Sequence, residues 1–226
     1  MRALLLVGLG ACRFAHGEAA PDAVPPFCDP DDATLVACYE LDGEVQDGSP
    51  HHLDPDVTDN VAFGAGKVGQ AMVIGATTEV DVAESPLFGV SALTIEAWIA
   101  PSQLPSDRGG VLDCDGRYGF FLYASDQIEC IAGGTATAGP IATQQWTHVA
   151  CTSDGTAVSV YIDGRLAASA PATALSPTGS QTGITIGGNN PPGGGDPLVG
   201  SLDQLRLYGV ARTPAEICAD AAAPCD

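Results

Sequence analysis

Short runs of alternating apolar and polar residues, each ended by a turn signal, constrain this chain more than any other feature. In the clearest case the runs Thr147–Cys151 and Val158–Ile162 alternate, and Asp154-Gly155 and Asp163-Gly164 follow them. An Asp-Gly dipeptide beside alternating runs is typical of a β-hairpin, because glycine adopts the positive φ that tight hairpin turns need. This segment is therefore predicted to form two antiparallel strands.

Similar runs recur from Thr34 onward, with Gly, Asp, Pro or Ser between them. The predicted strands are 34–41, 70–75, 78–82, 92–100, 109–113, 117–123, 127–132, 146–153, 156–162, 165–170, 182–188 and 201–208. Many short strands separated at regular intervals by turn residues predict an all-β domain of two packed antiparallel sheets. The residues expected in its core are Ile95, Trp98, Ile99, Val149, Tyr161, Ile186, Leu205 and Leu207.

Four further segments, taken in order with the hairpin, resemble bacterial laminin-G-like domains of the concanavalin A-like lectin/glucanase superfamily. These are Leu35–Gly43, Gly66–Ala71, Leu93–Ile99 and Gly200–Tyr208. The likeness covers residues 34–217 and ends in Thr213–Ile217, where the family has a short helical turn. The resemblance implies a concanavalin A-like, two-sheet jelly-roll sandwich. It also implies a non-catalytic recognition module that binds carbohydrate or a cell-surface protein through its rim loops or its concave sheet.

The charge balance excludes one class of partner. The chain has 28 Asp and Glu against 8 Lys and Arg, which gives a formal net charge of −20. Such a surface repels phosphate backbones, so nucleic acid is excluded as a partner.

The N-terminus has the pattern of an export signal. Arg2 precedes the apolar run Ala3–Leu9, and Leu9-Gly10-Ala11-Cys12 resembles the lipobox of bacterial lipoproteins. We therefore expect residues 1–12 to be a lipoprotein-type signal peptide and Cys12 to be lipidated. Ordinary secretory cleavage within residues 15–20 and a misplaced start codon are the alternatives. No apolar run is long enough for a transmembrane span, which predicts an envelope lipoprotein or a secreted protein.

Residues 13–33 are rich in Ala, Pro and Asp and predict a tether between the anchor and the domain. Residues 218–226 form a C-terminal tail that contains two cysteines.

Eight cysteines in 226 residues fit an oxidising compartment, where disulfides persist. Cys130 and Cys151 lie in predicted strands and are expected to pair. The other four candidates are Cys28, Cys38, Cys218 and Cys225. They allow either a staple between the two ends of the domain or two local pairs, and the spacing does not decide between these alternatives.

The segment Glu79-Val80-Asp81-Val82-Ala83-Glu84 has the form E-x-D-x-x-E, which resembles the catalytic signature of family 16 glucanases. That resemblance implies Glu79 as nucleophile, Asp81 as its assistant and Glu84 as acid/base. The alternation of acids with valines is, however, typical of any antiparallel strand with one solvated face. In the laminin-G-like register these acids have no catalytic part. We therefore predict no catalytic residue, and keep a glycosidase or a structural, adhesive surface protein as alternatives.

The family resemblance also implies a structural calcium ion. Asp42 and Asp203 are the expected ligands, because β-strands at the two ends of the domain are neighbours in this topology. Calcium prefers carboxylate and carbonyl oxygens. The acidic loop that follows the first strand supplies the further candidates Asp47, Asp54, Asp56 and Asp59.

Aromatic residues on one predicted strand are candidates for a sugar platform. They are Tyr118, Phe120, Phe121 and Tyr123, and strand alternation places half of them outward. The Gly- and Pro-rich segment 187–197 is expected to be an exposed loop. His148 lies within a strand pattern and is expected to be a hydrogen-bonded interior imidazole.

Overall fold

The structure is a computed structural model that describes residues 26–178, 182–189, 195–222 and 224. The predicted signal peptide, the lipidation site Cys12 and the candidate disulfide residue Cys225 lie outside the described residues.

The described residues form fifteen strands and one short α-helix. The strands are β1 (Leu35–Tyr39), β2 (Val57–Asp59), β3 (Ala62–Ala65), β4 (Gln70–Ile74), β5 (Glu79–Val82), β6 (Leu93–Pro101), β7 (Arg108–Cys114), β8 (Tyr118–Tyr123), β9 (Ile128–Ile131), β10 (Thr135–Ala138), β11 (Thr147–Ser153), β12 (Ala157–Ile162), β13 (Arg165–Pro171), β14 (Ile184–Ile186) and β15 (Gly200–Tyr208). The helix α1 spans Pro214–Asp220. All twelve predicted strands are present, and β2, β3 and β10 were not predicted.

The strands form two antiparallel sheets, which confirms the predicted all-β, two-sheet sandwich of the concanavalin A-like jelly-roll kind. Sheet A has the order β13-β12-β11-β6-β15-β4-β3, and β1 also pairs with β15. Sheet B has the order β10-β9-β8-β7-β14-β5-β2. The strand β15 pairs with β4 through residues 200–202 and with β1 through residues 205–208. The change of partner falls between these two stretches, at Asp203 and Gln204.

Alternate residues of the strands fill the space between the sheets. Six of the eight expected core residues lie in the buried apolar cluster between the sheets, namely Ile95, Ile99, Val149, Ile186, Leu205 and Leu207. Trp98 and Tyr161 are buried but belong to the opposite, outer face of sheet A. The apolar character of a strand residue does not show whether it faces the other sheet or the outside of its own sheet. The outer face of sheet A is also covered, by segments that lie outside the two sheets.

That cover comes from both ends of the domain. The helix α1 begins at a capping box formed by Thr213 and Glu216, and its Ile217 packs against Ala150 and Tyr161. On the other side, the guanidinium of Arg206 stacks on the Phe27 ring at 4.3 Å from its centroid. Residues 26–33, which the sequence analysis assigned to the tether, therefore include a part that packs on the domain.

Disulfides join segments within and between the sheets. Cys130 on β9 pairs with Cys151 on β11, and Cys28 pairs with Cys38. Cys218 is also disulfide-bonded. Of the two arrangements left open by the sequence, Cys28 and Cys38 adopt the local pairing. Within the described part of the chain, no helix is long and apolar enough to cross a lipid bilayer.

Candidate functional site

A row of outward-facing residues crosses sheet B. The strand registers place Asp81 opposite Thr185, Thr185 opposite Asp113, Asp113 opposite Gly119, and Gly119 opposite Ile131. The neighbours of each along its strand point into the core, so all five face away from it. The row therefore places two carboxylates and a hydroxyl on one face of the sheet.

A cleft of ≈ 570 Å³ opens where this row meets the strand ends. Its lining residues are Arg108, Asp113, Asp115, Gly116, Arg117, Tyr118, Gly119, Phe121, Ile131 and Asn189. Gly119 leaves room for the cleft, because a Cβ there would press on the Phe121 ring and would lie 2.8 Å from Asp113 Oδ1.

The aromatic candidates divide between the two faces of β8. Tyr118 and Phe120 point into the core, and Phe121 and Tyr123 alternate with them on the outer face. The Arg108 guanidinium lies 4.6 Å from the Phe121 ring centroid and stacks on it. Phe121 is therefore almost fully buried, with 2% of its surface exposed, and the stacked guanidinium covers its ring at the cleft.

Both ends of the predicted exposed loop are fixed beside this cleft. Asp196 accepts hydrogen bonds from Arg108 Nε at 2.8 Å and from Asn189 Nδ2 at 3.2 Å. Its backbone carbonyl accepts a further bond from the amide of Gly110. The loop ends therefore form one wall of the cleft.

The E-x-D-x-x-E acids lie outside the cleft lining. Glu79 and Asp81 share the outer face of β5, where Asp81 accepts a hydrogen bond from the Thr185 hydroxyl. Burial raises the pKa of Asp81 above its ordinary value. Glu84 follows the strand, and its two oxygens lie 2.7 and 3.2 Å from the Arg117 guanidinium nitrogens. Each oxygen of Glu84 is thus engaged within the protein.

Asp42 and Asp203 come together at the turn that precedes β4. Asp203 Oδ2 accepts the amide of Val68 at 2.9 Å, and Asp42 Oδ1 accepts the amide of Gln70 at 2.8 Å. A bulge in β15 follows Asp203 at the partner change, with Gln204 at φ 50°, while Asp203 itself still pairs with Trp98 on β6. Burial raises the pKa of Asp203, and the nearby charge of Asp42 adds to the increase.

The other acids of the loop after β1 bind the backbone instead. Asp47 accepts four hydrogen bonds, from the amides of Cys38, Ser49 and Leu53 and from the Ser49 hydroxyl. Asp54 accepts the amide of Asp47, and Asp56 accepts that of Ala83. Asp59 lies on the edge strand β2. In the described ranges, no group of three or more His, Cys, Asp or Glu residues is arranged to hold a metal ion.

A buried polar cluster lies under α1 on the outer face of sheet A. Arg206 bridges Glu96 at 2.9 Å and Asp220 at 3.1 Å, and His148 Nε2 lies 3.8 Å from Glu96. Burial lowers the pKa of His148 to about 4 and raises that of Glu96 to about 8. His148 is interior as expected, but its Nδ1 has no hydrogen-bond partner. The cluster attaches the helix to the sheet.

Arg108, Asp113, Gly119 and Asn189 were not predicted from the sequence as site residues. One signal was present: Asp113 is an acid that follows the apolar pair Val111-Leu112 in a predicted strand. β14 pairs with β5 on one side and with β7 on the other, which brings acids that are far apart in the chain into one row. No local sequence pattern predicts this pairing.

The chain is similar to one protein family over most of its length. The model of the family Laminin_G_3, described as concanavalin A-like lectin/glucanases superfamily, matches residues 74–218. A comparison with curated protein sequences gives no match.

Several solved structures share the fold. Domain 4 of AbnA, a GH43 extracellular arabinanase from Geobacillus stearothermophilus, solved in complex with arabinotriose, has 25% sequence identity and a TM-score of 0.67. That match covers 83% of this chain and 98% of the other. The binding domain of Paraclostridial Mosquitocidal Protein 1 has 14% identity and a TM-score of 0.67, covering 83% of this chain and 52% of that one.

The binding domain of botulinum neurotoxin DC, in complex with rat synaptotagmin II, has 11% identity and a TM-score of 0.66, with 84% and 51% covered. The chain thus spans about half of each of the two toxin structures. At these lower identities the likeness shows the fold alone.

Proposed function

Since the chain belongs to the concanavalin A-like lectin/glucanases superfamily, we propose that it is a non-catalytic carbohydrate-binding module whose ligand lies in the sheet B cleft. The observation that carries this proposal is the composition of the cleft. Ile131 and the buried Phe121 line the cleft beside a carboxylate, an amide and a guanidinium from Asp113, Asn189 and Arg108.

Such a combination matches the chemistry of a sugar. A pyranose or furanose ring has an apolar C–H face and a rim of hydroxyls that both donate and accept hydrogen bonds. Ligand pockets of this kind combine apolar walls with a few polar groups that fix orientation. The similarity to an arabinanase domain solved with arabinotriose supports a short neutral oligosaccharide as the ligand.

Isothermal titration calorimetry with arabinotriose, after a glycan-array screen with and without calcium, tests the proposal. Asp113→Asn is expected to weaken binding about tenfold or more, because one charge-assisted hydrogen bond contributes about 1.5–3 kcal/mol. Asp59→Asn on the exposed edge strand is the matched control and should bind like the wild type. Retention of full affinity by Asp113→Asn, or no binding to any glycan, would contradict the proposal.

A second candidate function is glycoside hydrolysis by the acids of the E-x-D-x-x-E segment. Glu79 and Asp81 share a face of β5, and burial raises the pKa of Asp81. Retaining hydrolysis needs a nucleophile and a proton donor with a raised pKa. Turnover of β-glucan that is lost in both Glu79→Gln and Glu84→Gln would favour this enzyme over the binding module. Failure of both glycan binding and turnover leaves an adhesive or structural surface protein.

Calcium is the proposed structural ion, held by Asp42 and Asp203. Asp203 Oδ1 is buried and has no hydrogen-bond partner, although Oδ2 is bonded. Two carboxylates that converge on one turn, with backbone carbonyls nearby, are the kind of oxygen donors that calcium takes. The ion would supply positive charge to the buried carboxylate, and the two aspartates would fix the turn 66–70 to the end of the sheet.

The disulfides support a location for the protein. Two pairs within the described domain fit an oxidising compartment, and we propose an exported protein on that basis. A glycan or cell-surface protein is then the partner, and the lipid anchor at Cys12 remains a prediction from the sequence.

A further inference from the structure

A second row of outward residues crosses sheet A at the end away from α1. Ser201 on β15 lies opposite both Val73 on β4 and Ala100 on β6. Trp146 directly precedes β11, whose first residue pairs with Ile99, so it stands at the next position beside Ala100. Because alternate residues of β11 point outward, Trp146 faces the same side as His148. Small side chains thus form a floor between Val73 and the indole.

The neighbouring part of this outer face, around Trp98, is covered by the protein itself. The Lys67 ammonium lies 3.9 Å from the centroid of the Trp98 ring, and Glu96 and His148 are buried at 1% and 2% exposure. By contrast Val73 is 36% exposed and Trp146 is half-buried. The row at Trp146 therefore lies open beside a covered part of the same face.

The open row forms a groove of ≈ 420 Å³ with an uncharged lining. It is lined by Val73, Ile74, Ala100, Ser102, Gln144, Trp146, Val199, Gly200 and Ser201. The chain carries 8 basic and 28 acidic residues, yet none of them is among these described lining residues. This distinguishes the groove from the sheet B cleft, which has charged residues of both signs.

Gln144 is held at the rim in an unusual backbone conformation. Its φ is 60°, in the left-handed region, and its amide donates to the carbonyl of Pro101 at 2.7 Å. Non-glycine residues in this region cost free energy, and such outliers are concentrated at functional sites. The turn therefore places an amide side chain and the following indole at the same groove.

We propose that this groove is a second carbohydrate site, which takes a neutral sugar ring stacked against Trp146. The indole supplies an aromatic face and one N–H donor. Gln144, Ser102 and Ser201 supply neutral hydrogen-bonding groups for the hydroxyls, and the small floor admits a flat ring. A charged sugar would lose its hydration in the groove without gaining a counter-charge, so the site selects neutral sugars.

The two sites are on opposite faces of the sandwich. A module with both would hold two glycan chains at once, and its avidity for a polysaccharide would exceed its affinity for an oligosaccharide. The second site is formed by different residues from those of the sheet B cleft. An experiment can therefore rule out either site without ruling out the other.

The two tryptophans allow a direct test by fluorescence. In Trp98→Phe, Trp146 is the one remaining indole, and its emission reports on the groove. Titration with arabinotriose, cellotriose and maltotriose is expected to give a saturable change in emission with at least one of them. Trigalacturonate, a charged trisaccharide, is expected to give none. No saturable change with any neutral trisaccharide overturns the proposal.

Two further variants separate the sites. In Trp98→Phe combined with Phe121→Ala, the emission response should keep its midpoint, even when calorimetry shows that the sheet B cleft has lost its ligand. Trp146→Phe keeps the fold and a smaller aromatic face, and is expected to bind the responding sugar severalfold more weakly at this site. Trp146→Ala should weaken it about tenfold or more. Unchanged calorimetric affinity and stoichiometry in Trp146→Ala, with an unchanged melting temperature, would overturn the second site and leave the first intact.

Discussion

Cys130 and Cys151 form a disulfide that joins the two sheets of the sandwich. Cys130 lies on β9 of sheet B and Cys151 on β11 of sheet A, and both side chains belong to the core between the sheets. The bond therefore fixes the spacing of the sheets beside the cleft, where β9 carries Ile131.

Removal of this bond is expected to destabilise the domain strongly. The paired residues are 21 positions apart, and a loop of that length is worth about 3 kcal/mol of unfolded-state entropy. The double variant Cys130→Ala/Cys151→Ala should lower the free energy of unfolding by about that amount, measured in urea. Cys114→Ala is the control, because Cys114 is a buried free thiol whose loss removes packing and the hydrogen bond that its Sγ accepts from Arg117, but no cross-link. Equal losses in the two variants would show that the cross-link itself contributes nothing.

The sequence predicted twelve strands, including the seven-residue edge strand β13, and missed three shorter edge strands. The three missed strands, β2, β3 and β10, are each an edge of a sheet and are three or four residues long. An edge strand needs few apolar residues, because one neighbour is missing and its outer face meets water. β10 is the clearest case, since Thr135–Ala138 contains no large apolar side chain.

Two of the candidate residues could be named in advance because the family resemblance supplied them. The pair Asp42 and Asp203 came from the family resemblance, and the structure brings both to the turn 66–70. The cleft depends on β14, which lies between strands that are far apart in the chain. It also depends on Gly119, because the absence of a side chain there leaves space that only the three-dimensional structure shows. Neither feature produces a periodic pattern or a motif in a single sequence.

Acid is expected to destabilise the fold through His148. Burial lowers the pKa of its imidazole from 6.5 to about 4, with the positive charges of Arg206 and Lys67 acting in the same direction and Asp220 opposing them. The unfolded chain therefore takes up a proton below pH 6.5 that the folded chain refuses. This contribution to stability is complete above pH 6.5 and is lost as the pH falls through 4, by about 3 kcal/mol.

His148→Gln, which cannot titrate, isolates this effect. Denaturant unfolding of wild type and variant between pH 7 and 4 should show a difference in unfolding free energy that shrinks as the pH falls, because the wild type alone loses the histidine contribution. The buried Glu96, 3.8 Å from the imidazole, is common to both proteins and cancels in the comparison. Parallel curves would contradict the assignment.

Calcium is expected to stabilise the domain through Asp203. At free calcium 100 times above the dissociation constant, binding to the folded state alone adds about 2.7 kcal/mol to the unfolding free energy. The melting temperature should therefore rise with calcium, fall again with a chelator, and fail to respond in Asp203→Asn. Asp47→Asn is the matched control: its carboxylate already accepts four hydrogen bonds, so the variant should be less stable but keep the calcium response. A wild type that melts at the same temperature in calcium and in chelator would remove the site.

A methyl group at Gly119 is expected to close the sheet B cleft. The added Cβ would press on the Phe121 ring and would lie 2.8 Å from Asp113 Oδ1, so both ligand-binding side chains must move. Overpacking of this kind costs about 1–3 kcal/mol of stability, and the displaced groups should weaken arabinotriose binding about tenfold or more. Gly75→Ala supplies the comparison, because a Cβ there meets its nearest neighbour, Thr78 Oγ1, at an ordinary 3.8 Å. Calorimetric titration of both variants decides the matter: if Gly119→Ala binds as well as Gly75→Ala, the sugar does not lie in this cleft.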